Sequence, residues 1–186
     1  HIKGFNSRGV VSVAGKNREI FTEDVGRAIK AAQEIAVPSG REILHVIVQD
    51  FVVDEQDGIT NPVGMIGSRL EVNVHIVTGS TSSKHNIEEC VGRAGVKVQT
   101  SVLDQLAASE AVLTTDEKEL GVALVDIGGG TTDFTVFERG SIWHTGVIAI
   151  GGDHFTTDLA VSLRTPIPDA EKLKQRAGCA FAALVD

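Results

Sequence analysis

The most constraining feature of the chain is a strand that runs straight into three glycines. Gly121–Ile127 is an almost unbroken apolar run, the pattern expected of a strand buried on both sides. It leads into Gly128-Gly129-Gly130, and Thr131–Phe137 reads as the next strand. A Walker A loop or a dinucleotide fingerprint lies between a strand and a helix, and neither GxxxxGK[ST] nor GxGxxG occurs. The glycines are therefore expected at a β-hairpin tip. There they can adopt positive φ and let backbone N–H groups converge on an anion.

The residues around the tip suit a phosphate. The hydroxyls of Thr131 and Thr132 are possible donors to its oxygens. Asp126, at the carboxyl end of a strand, suits a Mg²⁺ ion held through its water shell. Asp133, just past the glycines, stands where it can orient or deprotonate a water. Two acids beside a phosphate make electrostatic sense only with a cation between them, so Mg-nucleotide is the expected cofactor. The opposing interpretation, a Gly-rich hairpin flanked by solvated acids, explains the glycines but not the whole constellation.

The rest of the chain is read around this hairpin. His1–Asn6 and Val10–Val13 read as strand. Thr22 is placed to cap a helix carrying Glu23 and Asp24 in its first turn, with Val25, Ala28, Ile29, Ala32, Ile35 and Ala36 at helical spacing. Pro38-Ser39-Gly40 ends it. Ile43–Val53 reads as a strand whose apolar phase slips near Asp50, predicting a bulge. Asp57-Gly58 marks a turn. In Arg69–Thr78, Leu70, Val72, Val74 and Ile76 alternate with Glu71, Asn73 and His75, predicting one buried and one wet face. This strand is expected either at a sheet edge, open to pairing with another chain, or inside the sheet.

The unit is strand–helix–strand–strand, with its boundary near Gly79 and a linker-like stretch over Ser80–Ser83. Beyond it, Ile87, Cys90, Val91 and Ala94 mark a helix closed by Gly95, and Val96–Val98 a short strand. Leu103, Leu106, Ala107, Ala111 and Leu113 mark another helix, followed by the charged stretch Asp116–Glu119. After the hairpin, Arg139-Gly140 turns the chain and Trp143–Ile150 returns. Helices follow over Phe155–Leu163, opened by Gly151-Gly152, and over Asp169–Arg176. Gly151-Gly152 is expected to serve tight packing before a helix rather than a second phosphate contact.

Composition narrows the function. The 186 residues carry a formal charge of -8, a poor footprint for sequence-independent nucleic-acid binding. No apolar run approaches the ~18 residues of a membrane span, and the start does not read as a secretory signal. Cys90 and Cys179 are expected to be buried and reduced. The six histidines show no metal spacing, so no zinc is expected. Both ends read as cut from a longer chain.

Asp126–Asp133 resembles the second phosphate loop of the actin, Hsp70 and sugar-kinase superfamily. Further segments narrow the likeness: His45–Asp54 with Asp57-Gly58-Ile59, Arg69–Ile76, Ala111–Thr114, Asp116–Gly121 and Asp169–Lys174. Together they resemble the bacterial cell-division family FtsA over essentially the whole chain. The fold so implied is α/β, part of an actin-like ATPase. Residues 1–79 would be the strand–helix–strand–strand subdomain peculiar to that family. Residues 80–119 would be the helical remainder of the first lobe, and residues 120–186 the start of the second.

The resemblance implies that Gly128, Gly129, Gly130, Thr131 and Thr132 contact the β- and γ-phosphates of ATP, that Asp126 holds the metal's water shell, and that Asp133 stands near the hydrolytic water. Glu171 and Lys174 match the helix that reaches the nucleoside, although a solvated i,i+3 pair explains them equally well. Glu110 lies where some relatives place a catalytic acid, and an exposed helical residue is the plainer interpretation. The first phosphate loop and the adenosine-binding turn are not in the chain, so by itself it is expected to bind ATP weakly or not at all.

The whole protein would be an ATP-binding, polymerising adaptor and at most a weak ATPase, with nucleotide acting as an assembly switch. It would link the FtsZ ring to the cytoplasmic face of the inner membrane at the division site, and self-associate. FtsZ would bind through a region outside this chain, and the membrane through a C-terminal helix also outside it. Later division proteins would be recruited through residues 1–79. Two alternatives stand beside this: a small-molecule kinase of the same superfamily, and an interaction module without nucleotide chemistry. A kinase would need a substrate-facing polar cluster, and none is evident.

Overall fold

The computed structural model describes residues 2–14, 17–34 and 37–181. His1, Ile35, Ala36 and the terminal residues 182–186, all used in the sequence reading, lie outside the described residues. The elements in order are β1 (Lys3–Ser12), α1 (Thr22–Gln33), β2 (Arg41–Val53), β3 (Gln56–Ile59), β4 (Arg69–Ser80), α2 (Thr81–Arg93), α3 (Asp104–Val112) and α4 (Thr115–Leu120). They continue with β5 (Val122–Ile127), β6 (Thr132–Glu138), β7 (Ser141–Ile148), α5 (Gly152–Leu163) and α6 (Ile167–Ala177). The chain divides into two compact units, His1–Leu124 with Phe134–Gly146, and Val125–Asp133 with Val147–Asp186.

In the first unit an antiparallel sheet has the order β1-β4-β2-β3. Helix α1 covers one face. Its Ala28 and Ala32 are fully buried with Ile20, Leu70, Val72, Val74 and Ile76, each large side chain contributing about 1.5–3 kcal/mol by leaving water. The Ser7 hydroxyl donates to Ala32 O at 2.8 Å. Helix α1 begins at Thr22 itself, so Thr22 is not its cap; the Asp24 carboxylate instead accepts the Phe21 N–H at 2.9 Å. That bond, with Arg27 beside it, holds the Asp24 carboxyl below its ordinary value. The slip expected near Asp50 is present as a register shift between Val48 and Asp50, and a second lies between Ile43 and His45.

The alternation in β4 is present, but its polar face is not wet. Glu71 is buried between Arg8 and Arg69, at 3.0 Å from each guanidinium. His75 is fully buried: its Nδ1 lies 2.7 Å from Asn6 Oδ1 and its Nε2 2.9 Å from Thr145 Oγ1. Gln49 Nε2 donates to Ile142 O at 3.0 Å. A second layer of polar partners from β1 and β7 therefore covers that face. Strand β4 is also interior, between β1 and β2, which excludes its use as an edge.

Burial, and then the charge of His144, lowers His75 from 6.5 to about 4. The native state thus refuses a proton that the unfolded chain accepts. Stability from this group is whole above pH 6.5 and is lost as pH falls from 6.5 towards 4, by about 3 kcal/mol. Urea midpoints measured across that range should fall more steeply for the wild-type chain than for His75→Gln. Parallel slopes would refute the assignment.

Several local expectations are corrected. Strand β4 passes directly into α2 with Ser80 Oγ accepting the Ser83 N–H at 3.3 Å, so Ser80–Ser83 is a helix start, not a linker. Val96–Val98 forms no strand, because a strand requires a ladder partner and none pairs with it among the described residues. Cys90 and Cys179 are free but exposed; α2, which carries Cys90, buries no residue among those described.

The strands β5, β6 and β7 form a second sheet in that order, with connections short enough to require antiparallel neighbours. Arg139 and Gly140, both at positive φ (51° and 74°), make the tight turn between β6 and β7. Strand β5 is not buried on both sides. Every second residue is exposed, Val125 at 55% and Ile127 at 69%: side chains alternate across a strand, and the face carrying these two is left uncovered by the described residues. In the second unit, α5 packs on α6 through the buried Ala160 and Ala170.

Candidate functional site

The triple-glycine segment does connect two strands, but its glycines are not there for positive φ. None of Gly128, Gly129 and Gly130 has it. What they supply is close approach. The Gly152 N–H donates to Gly128 O at 2.9 Å and the Asp153 N–H to Gly129 O at 2.8 Å, so the loop's carbonyls sit on the first turn of α5. A Cβ on Gly151 would stand 2.4 Å from Gly129 O and 2.5 Å from Gly128 O, and one on Gly129 2.9 Å from Asp153 Oδ2. Gly151-Gly152 is thus a packing device, as its position before a helix suggests. The first two N–H groups of α5 are thus committed to the loop, and the third, of His154, to Gly151 O.

This leaves a specific set of donors. The Gly128 N–H closes the loop on Thr131 O at 2.9 Å. Among the described residues, the N–H groups of Gly129 and Gly130 donate to no protein acceptor. The Thr131 hydroxyl donates to Asp133 Oδ2 at 3.0 Å, and that of Thr132 to Ile150 O at 2.8 Å. Both hydroxyl protons are therefore occupied internally, and a phosphate would have to displace one to use it. Asp126 is half-buried at the end of β5, and Asp133 is half-buried at the start of β6. Among the described residues, no three His, Cys, Asp or Glu side chains converge as a direct metal cage.

Glu171 and Lys174 are paired, at 2.7 Å, but not freely solvated. Lys174 also donates to Gly152 O at 3.1 Å and to Thr156 Oγ1 at 2.8 Å. Glu171 accepts from the Thr156 hydroxyl and, at 2.8 Å, from Gln175 Nε2. Lys174 first, then Thr156 and Gln175, lower the Glu171 carboxyl to about 2. Thr156 was not legible as a member of this group; its one signal is a position four residues after Gly152, on the α5 face that meets α6. Glu110, in the other unit, is exposed and accepts from Lys118 Nζ at 2.7 Å.

A family model described as "SHS2 domain inserted in FTSA" matches residues 1–78, and one described as "Cell division protein FtsA" matches residues 123–186. The cell division protein FtsA of Pseudomonas aeruginosa is 50% identical over 184 residues, 99% of this chain and 44% of that protein. The chain belongs to the FtsA family. The FtsA proteins of Borreliella burgdorferi and Escherichia coli K12 are 48% and 42% identical over 185 residues, covering all of this chain and 45% and 44% of theirs. The chain therefore spans less than half the length of these FtsA relatives. A chain of the PilM–PilN type IV pilus biogenesis complex matches with a TM-score of 0.61 at 16% identity, over 93% of this chain and 47% of that one. That likeness shows the fold, which is the mixed α/β fold of actin-like ATPases. No helix among the described residues is long and apolar enough to cross a membrane.

Proposed function

We propose that the protein carrying this chain is a nucleotide-dependent, actin-like adaptor of bacterial cell division, and that Gly128–Thr132 receive the β- and γ-phosphates of Mg-ATP. The observation that carries this reading is the pair of N–H groups on Gly129 and Gly130, which have no acceptor among the described residues, at a loop whose carbonyls are held away on α5. Backbone donors of this kind bind an anion without a basic side chain, which suits a chain of charge -8. Asp126 holds Mg²⁺ through water, so the ion needs no direct cage of side chains. Asp133, oriented by the Thr131 hydroxyl, stands by the hydrolytic water. Nucleotide serves assembly rather than turnover: the protein polymerises, links the FtsZ ring to the inner membrane, and recruits later division proteins through residues 1–79.

Asp126→Ala in the full-length protein tests the site with a change of sign. With Mg²⁺ present, ATP affinity should fall about tenfold, since the ion loses its anchor. In chelator, the same variant should bind metal-free ATP more tightly than wild type, because a charge that repels phosphate is gone. Titration calorimetry reads both arms, and equal affinities for variant and wild type in both would sink the proposal.

A further inference from the structure

A third acid stands beside the glycine loop. Asp153 is the second residue of α5, and its N–H donates to Gly129 O at 2.8 Å. Its carboxylate lies against the same glycine: a Cβ on Gly129 would meet Asp153 Oδ2 at 2.9 Å and Oδ1 at 3.3 Å. A Cβ is about 2.5 Å from its own backbone nitrogen, so Oδ2 is no more than about 5.4 Å from Gly129 N. Asp153 is exposed, and among the described residues no hydrogen bond or ion pair holds its carboxylate. Lys174, whose ammonium reaches Gly152 O at 3.1 Å, has the Glu171 carboxylate beside it at 2.7 Å. That pair adds little net charge at the turn. An acid in a first turn also suits the helix dipole, but this requires only a place on α5, not a carboxylate set against the loop.

The N–H groups of Gly129 and Gly130, without an acceptor among the described residues, therefore lie in the field of this carboxylate. A unit negative charge at such a distance opposes an arriving anion by about tenfold in affinity. A divalent cation on the phosphates removes most of that opposition, because the nucleotide then arrives largely neutralised. We propose that Asp153 is a specificity-determining residue of the loop, a fixed charge that turns away bare nucleotide and admits the magnesium complex. Asp153 acts across space and does not anchor the ion: among the described residues, no three acids converge as a metal cage. The specificity rests on the phosphate reading of the loop; the charge at its donors does not.

Hydroxide-catalysed exchange of the Gly129 and Gly130 amides, followed by NMR without nucleotide, reads that charge directly. Hydroxide is itself an anion that must reach the N–H. In full-length protein, Asp153→Asn, which keeps the shape and removes the charge, should speed exchange at both amides about tenfold. Salt supplies a second measurement that needs no variant to fold. High ionic strength screens the carboxylate, so it should speed exchange in wild type more than in Asp153→Asn. Titration calorimetry then reads the ligand. In chelator, Asp153→Asn should bind ATP about tenfold more tightly than wild type, and with Mg²⁺ the gain should shrink to about twofold. Unchanged exchange in Asp153→Asn overturns the inference, as does a loss of Mg-ATP affinity in that variant, the signature of a metal anchor. Faster exchange with no gain for metal-free ATP overturns the specificity role. A wild type that binds no ATP in either condition defeats the phosphate reading and the specificity with it, and leaves standing only the charge that exchange reports.

Discussion

Gly9→Val is expected to unfold the sheet of residues 3–80. A Cβ at position 9 would lie 2.0 Å from Ala28 O and 2.6 Å from Ala32 N. Both are backbone atoms of α1, so no rotamer relieves the clash and the helix must lift away from β1. Lifting it uncovers Leu70, Val72, Val74 and Ile76, which are completely buried beneath it. Overpacking against a rigid backbone, with loss of that cover, should cost at least about 4 kcal/mol, a large part of the 5–15 kcal/mol typical of a domain. Gly26, on the same helix, supplies the opposite sign. A Cβ there meets nothing within 4 Å, so Gly26→Ala should stabilise the chain by about 0.5–1 kcal/mol through helix propensity. Urea midpoints measure both. A Gly9→Val midpoint equal to wild type would show that α1 does not rest on β1 as described.

That contrast also shows what a pattern can and cannot carry. The apolar stripe of α1, the bulge in β2 and the Arg139-Gly140 turn follow from neighbours in sequence, and each was readable there. The fate of β4 was not. Alternation tells which residues share a face, but not whether another layer covers it. His75 and Glu71 looked solvated because their partners Asn6, Thr145 and Arg8 lie more than sixty residues away. Val96–Val98 fails for the related reason that strand propensity does not provide a neighbour. At the candidate site, the glycines and flanking acids were legible as a group. The reason for the glycines was not, because close approach to α5 is a tertiary fact while positive φ is a local one. Glu171 and Lys174 were visible as an i,i+3 pair, and only the fold places the Thr156 hydroxyl between them.

The other large effect is expected at Gly151→Ala. Gly151 has extended backbone, φ -152°, which any residue adopts, so the requirement for glycine is steric alone. The added methyl would stand 2.4 Å from Gly129 O, 2.5 Å from Gly128 O and 2.7 Å from Gly129 C. Each of these is loop backbone, and the loop and the first turn of α5 must part. Parting them breaks the bonds from Gly152 N–H and Asp153 N–H to the loop carbonyls. It also releases the geometry that leaves the Gly129 and Gly130 N–H groups without an acceptor among the described residues. ATP affinity of the full-length protein should then fall on the order of a hundredfold, and the thermal midpoint should fall with it. Gly130→Ala separates the two effects. Its Cβ meets nothing within 4 Å and its φ is not positive, so the melting temperature should stay at wild type. The same methyl stands beside an N–H proposed to meet phosphate, so affinity should still drop. If Gly151→Ala melts early yet binds ATP like wild type, phosphate is not held by the loop in this conformation. The uncommitted donors of Gly129 and Gly130 would then need another purpose.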